Sequence, residues 1–247
     1  MTFKDHFSGH APAYAAFRPR YPQALVDALA EASPATDHVL EVGCGSGQLS
    51  VLLGTRFAHV TATDPSAEQL ARAEPAERVE YRCAPAEQTG LPDSSVDCLV
   101  AAQAAHWFDH ERFHAECRRV GRPGALVVLV TYGLLFVRPD LDALLTRFAL
   151  EDLADFWPPE RRFVDDGYAS LPFPFAPVSF PNVSMRAQWD LDGVLGYVRT
   201  WSAVQAAVRD GRHELVDAFT ETFSRAWGDR SMARELEWPL SIRAGRR

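Results

Sequence analysis

The chain has 247 residues, a formal net charge of -8, 47% hydrophobic residues and 23% charged residues. That length and balance suit one globular domain with an elaboration and exclude a disordered or fibrous chain. They also argue against a nucleic-acid partner, because the one basic cluster is the terminal Arg243, Arg246 and Arg247, a pattern typical of a solvated end.

The four cysteines, Cys44, Cys83, Cys98 and Cys117, are spaced by 39, 15 and 19 residues and match no zinc motif. They read as free thiols of a reducing compartment. No apolar signal core opens the chain, and the apolar stretch over 125–137 is too short to cross a bilayer. A cytoplasmic protein without a membrane partner is therefore expected.

In chain order, residues 1–22 are polar and aromatic, and a helix is predicted over 23–33 from Leu25, Val26, Leu29 and Ala30 at helical spacing. Strands follow at 39–42, 60–63, 79–83, 96–100 and 125–131. Helices are placed after Gly47, over 66–73 and over 109–120. Strands alternating with helices imply parallel pairing, since each parallel connection needs a crossover. Residues 136–180 hold six prolines, which exclude a long helix or a central strand; this segment reads as an inserted cap within a single domain. A strand at 183–189, helices over 191–208 and 212–227, and a last strand near 236–242 complete the chain. The expected fold is α/β, a doubly wound, mostly parallel seven-stranded sheet.

Residues 41–48 read Glu41-Val42-Gly43-Cys44-Gly45-Ser46-Gly47-Gln48. Glycines at a strand-to-helix turn let the backbone approach a ligand closely. Dinucleotide sites use GxGxxG, whereas here the pattern is GxGxG and Gln48 stands where the third dinucleotide glycine would be. Asp64 ends the second strand, 17 residues after Gly47, where a carboxylate can accept from a ribose diol. Capping of the next helix is the other role open to it.

With these residues the chain resembles the class I S-adenosylmethionine-dependent methyltransferases. Glu41-x-Gly43-x-Gly45-x-Gly47 is similar to their first motif, Asp64 to their second-strand acid, and Ala86-Glu87 with 91–97 to their adenine-side loop. The chain departs from many members in carrying Pro85, not an acid, before that alanine. Phe7-Ser8, Tyr14, Arg18-Pro19-x-Tyr21-Pro22, the run 103–109 and the run 197–203 resemble the trans-aconitate methyltransferases of the yeast type and their bacterial relatives. The resemblance implies S-adenosylmethionine as cofactor, with Gly43, Gly45 and Gly47 admitting its methionine part, Asp64 its ribose, and Ala86 and Glu87 its adenine. Glu41, Gln103, Tyr14 and Arg18 complete the implied cofactor set, with residues 1–35 including a lid in which Arg18 meets the cofactor carboxylate.

Methyl transfer to an oxygen of a small molecule, such as a carboxylate, is the expected activity. His106 follows the fourth strand at its carboxyl end and is the candidate base. Tyr21, Trp107 and Arg199 are candidate acceptor contacts. His106, His110 and His114 recur every four residues, but Asp109 as a helix cap puts His106 outside the helix, so no metal site is expected. A cofactor-binding protein without catalysis and a nicotinamide-dependent oxidoreductase are the competing functions; Gln48 counts against the latter.

Overall fold

The computed structural model describes residues 19–247. Tyr14, Arg18 and the lid assigned to the N-terminal segment lie outside the described residues. Helix α1, Gln23–Ala32, buries Leu25, Val26 and Leu29 as its spacing implies. Five parallel strands then follow, with a helix in every connection but that from β3 to β4: β1 His38–Val42, β2 His59–Asp64, β3 Val79–Cys83, β4 Val96–Ala102 and β5 Gly121–Tyr132. Between them run α2 Gln48–Leu53, α3 Ala67–Leu70 and α4 His110–Val120. Helix α3 is shorter than the expected 66–73, because Ser66 caps it and the chain turns at Ala71. Asp109 caps α4 by accepting from Arg112 N.

The segment 136–180 holds α5 Pro139–Arg147, α6 Arg161–Asp165 and β6 Ala176–Val178. Pro139 sits in the first turn of α5, where its missing N–H is no loss, and Pro177 lies on an edge strand. Next come β7 Ser184–Trp189, α7 Leu191–Arg199, α8 Ser202–Arg209, α9 His213–Trp227 and β8 Arg234–Arg246. The single helix expected over 191–208 is two. The Thr200 hydroxyl donates to the Tyr197 carbonyl, and Trp201 takes an extended backbone that starts a new axis.

Seven strands lie in the order β3-β2-β1-β4-β5-β8-β6, with β8 antiparallel to its neighbours and β7 paired to its first half. The β4 strand is buried along its whole length, as a central strand covered on both faces must be. A second apolar cluster joins α5, α7, α8 and α9 to the far end of β8 through Phe148, Phe223, Trp227 and Trp238. The carboxyl ends of β4 and β5, at Gln103 and Tyr132, thus meet residues of that helical layer, at the edge where open α/β sheets hold ligands.

Candidate active site

The glycine loop leaves β1 and folds back over β2. Gly43 N and Cys44 N both donate to the Thr63 carbonyl, at 2.7 and 3.0 Å. Gly45 N donates to Asp64 Oδ2 at 2.8 Å, and Ser66 N to Asp64 Oδ1 at 2.8 Å. Asp64 therefore ties the loop to the end of β2, while Ser66, not Asp64, caps the following helix. Two glycines divide the labour here. Gly47 has φ +78°, and a Cβ on it would lie 2.3 Å from the Tyr81 hydroxyl, so the fold itself demands glycine. Gly45 has φ +56° and, among the described residues, nothing within 4 Å of a Cβ position, so they leave its side of the loop open. An open, amide-rich turn beside a buried carboxylate fits the methionine and ribose parts of S-adenosylmethionine.

Glu41 is buried at the end of β1 and accepts from the Ser50 hydroxyl. Burial raises its pKa to about 8, with Asp64 nearby adding to the rise. Ala86 is buried in the core, and Glu87 accepts from Asp109 N at 2.8 Å, fixing the start of α4 beside the loop after β4.

That loop begins at Gln103, held at φ +56°. Its side chain docks on β5: Nε2 donates to the Tyr132 carbonyl at 3.1 Å, and Oε1 accepts from Tyr132 N at 3.0 Å and from the Thr131 hydroxyl at 2.7 Å. The amide assigned to the cofactor by resemblance is committed to the sheet in this structure. A short 3-10 turn, Ala105–Trp107, then presents His106. Its Nδ1 lies 2.8 Å from the Tyr168 hydroxyl, and its ring lies 4.7 Å from that of Trp107. Burial and the Arg161 charge push its pKa down to about 3, so the ring is neutral at physiological pH.

His106 and Trp107 stand in the wall of a cavity of about 90 Å³ with Tyr132, Trp157, Arg161 and Trp201. That is room for several waters or one small organic molecule. Tyr197, before the helix break at Thr200, and Trp201, after it, both stand in this wall. Arg161 is largely buried for an arginine, its side chain 16% exposed. Its guanidinium lies 4.3 Å from the Trp157 ring, and its Nε donates to Asp165 at 2.7 Å. Among the described residues it is the charged side chain of the cavity wall. Tyr21 is half-buried with its ring 6.4 Å from that of Tyr132, whereas Arg199 is exposed at the end of α7 and outside the wall.

Trp157, Arg161 and Tyr168 went unassigned in the sequence because they come from the proline-rich segment, where no periodicity marks a buried face. The pairing of a tryptophan with an arginine four residues on was the available signal.

Residues 40–129 match the "Methyltransferase domain" family. A protein assigned as a methyltransferase in Dictyostelium discoideum is 31% identical over 229 residues, 91% of this chain and 87% of its own. A solved structure assigned as a type II methyltransferase from Anaeromyxobacter dehalogenans is 47% identical with a TM-score of 0.88, covering 93% of this chain and 98% of its own. A malonyl-[acyl-carrier protein] O-methyltransferase of Dechloromonas aromatica is 35% identical over 53% of this chain, half of its own length. Among the described residues no helix is long and apolar enough to cross a membrane.

Proposed function

Because this chain belongs to the class I S-adenosylmethionine-dependent methyltransferases, we propose that it transfers the methyl group to a carboxylate oxygen of a small acid bound in the aromatic cavity. The observation that carries the reading is Arg161, a mostly buried guanidinium stacked on Trp157 in a wall otherwise made of rings and neutral groups. Burying a cation without a full set of partners is costly, and an anionic ligand offsets that cost. The residues 136–180 act as the acceptor cap, since they supply Trp157 and Arg161. The O-methyltransferase relative favours oxygen as the receiving atom, and the motif resemblance makes trans-aconitate the first acid to test.

Bound S-adenosylmethionine supplies an electrophilic methyl on a positive sulfur; the acceptor oxygen's lone pair forms the new C–O bond while the C–S pair returns to sulfur. A carboxylate is already ionised at neutral pH and needs no base. The chain's task is alignment and exclusion of water. Asp64 holds the ribose hydroxyls, Gly43, Gly45 and Gly47 admit the methionine part, and Ala86 and Glu87 flank the adenine. Glu41 supports the loop from beneath through Ser50. Tyr14 and Arg18 are further candidates from the sequence. Arg161 orients the acid, Tyr21 and Trp107 flank it, and His106 meets it as a neutral polar group.

The experiment is a screen of small acids, each beside its amide, with radiolabelled S-adenosylmethionine. Label should pass to acids and not to amides. Transfer confined to amines or neutral phenols would overturn the carboxylate assignment.

A further inference from the structure

Strand β4 ends at Ala102, paired with Val130, although β5 runs on to Tyr132. Continued for two residues, the same register would set Ala104 against Tyr132. Instead the chain turns at Gln103, whose backbone takes φ +56°. That conformation is disfavoured for a residue with a Cβ and persists where the surroundings fix it. Gln103 N still donates to the Val130 carbonyl at 2.8 Å, so the last backbone rung is made from within the turn.

The side chain makes the rungs that the backbone abandons. A glutamine amide carries the same donor and acceptor as a peptide group. Its Oε1 accepts from Tyr132 N at 3.0 Å, and its Nε2 donates to the Tyr132 carbonyl at 3.1 Å. A peptide N–H only donates and a C=O only accepts, so these two bonds leave the amide one orientation. The Thr131 hydroxyl donates to the second lone pair of Oε1 at 2.7 Å. All of this lies in the core, with Thr131 and Tyr132 both buried. Buried peptide groups that lose their partners are costly, so position 103 calls for a side chain that both donates and accepts.

The splint lets the chain leave the sheet early and form the turn Ala105–Trp107. That turn bears on both halves of the site. On one side Ala104 packs on the glycine loop: a Cβ on Gly43 would lie 2.5 Å from the Ala104 Cβ. On the other, His106 and Trp107 stand in the cavity wall with Tyr132, the residue that the amide grips. We propose that Gln103 is a positioning residue, a side-chain splint that fixes the turn carrying Ala104, His106 and Trp107 against Tyr132 and so sets the glycine loop relative to the cavity. The consequence for methyl transfer rests on the cofactor and acceptor reading given above. A misplacement of about 1 Å between the reacting groups can cost about a hundredfold in rate.

The test is read in ligand-free protein carrying nitrogen-labelled tryptophan, with the Trp107 indole signal identified by its loss in Trp107→Phe. Gln103→Leu keeps most of the bulk and removes the bonds to β5, so that signal should shift or broaden. Gln103→Glu supplies the discriminating readout. A protonated carboxyl offers the same donor and acceptor as the amide, whereas an ionised one turns a lone pair on the Tyr132 carbonyl. In Gln103→Glu the Trp107 signal should match that of the unaltered protein at acid pH and move away as the introduced carboxyl ionises. This titration should be absent from the unaltered protein and from Gln103→Leu. A Trp107 signal unmoved by Gln103→Leu, or unmoved by pH in Gln103→Glu, would overturn the splint; a residue that only binds the cofactor leaves these ligand-free spectra unchanged. Gln103→Glu carries the test alone if Gln103→Leu does not fold. With an acid that accepts label, Gln103→Leu should lower kcat at least about tenfold, and Gln103→Glu should regain activity as pH falls, in parallel with its Trp107 signal. A kcat in Gln103→Leu equal to that of the unaltered protein overturns the role in transfer. Failure of every acid to accept label refutes the acceptor class alone, because the splint is read without turnover.

Discussion

Asp64 carries two duties that a substitution can separate. It accepts from Gly45 N and Ser66 N, and the proposed function adds the ribose hydroxyls. Hydrogen bonds to a charged group contribute about 1.5–3 kcal/mol, so Asp64→Ala should weaken S-adenosylhomocysteine binding about ten- to a hundredfold by calorimetry. The same variant should melt earlier, because two loop amides lose their acceptor. A lowered melting temperature with unchanged affinity would leave Asp64 a structural residue only. Glu41 makes a pH prediction. Its pKa is raised from 4.5 to about 8 by burial, so the folded chain keeps a proton that the unfolded chain loses. That contribution to stability is present below pH 4.5 and is lost as pH rises through 8, with a slope of up to about 1.4 kcal/mol per unit. Histidines act in the opposite sense. His106, pushed down to about 3, and His114, pushed down to about 4, bind protons unfolded but not folded, so stability also falls as pH drops from 6.5. Urea midpoints against pH should show both limbs, and Glu41→Gln should flatten the alkaline one. An alkaline limb unchanged in Glu41→Gln would mean that another group carries it.

At the level of elements, the glycine loop offers a paired test. Gly47→Ala drives a methyl into the Tyr81 ring from a left-handed backbone, so it should destabilise the fold severely. Gly45→Ala meets no atom of the described residues within 4 Å and should cost only about 1–2 kcal/mol of backbone strain. On the proposed function its methyl enters space that the cofactor takes, so binding of S-adenosylhomocysteine should fall far more than the melting temperature. Equal effects of the two variants on stability would contradict this division. The loop was legible because glycines clustered between a strand and a helix mark a tight turn that a ligand can approach, and the parallel strands because their apolar runs are nearly continuous. Helix α7 was not separated from α8 in the sequence, since Thr200 and Trp201 are compatible with a continuing helix. Only the Thr200 hydroxyl on the Tyr197 carbonyl and the burial of Trp201 decide the break. His106 was found from its place after β4, but its partner Tyr168 lies 62 residues away, a distance no local pattern spans.

For the whole molecule, three apolar clusters divide the work, one on each face of the parallel sheet and one among the later helices. The parallel strands and their covering helices position the glycine loop at the carboxyl ends of β1 and β2. The cluster built from α5, α7, α8, α9 and the end of β8 backs the cavity with Tyr197 and Trp201. Residues 161–168 join one of the sheet clusters through Val164 and Tyr168 and supply both the cation of the cavity wall and the partner of His106. The family match over residues 40–129 stops short of the helical cluster, and on the proposed function acceptor choice belongs to the part of the chain outside that match. On the proposed function one guanidinium outside that match, Arg161, recognises the acceptor. The measurement is kcat/KM for a methyl-accepting acid with the unaltered protein, Arg161→Lys and Arg161→Met, alongside calorimetry with S-adenosylhomocysteine. Arg161→Met should lower kcat/KM at least about tenfold, chiefly through KM, as expected for loss of one charge-assisted contact. Arg161→Lys should recover part of the loss, and cofactor affinity should be unchanged in both. Turnover of the acid by Arg161→Met at the rate of the unaltered protein, with the same KM, would contradict the claim.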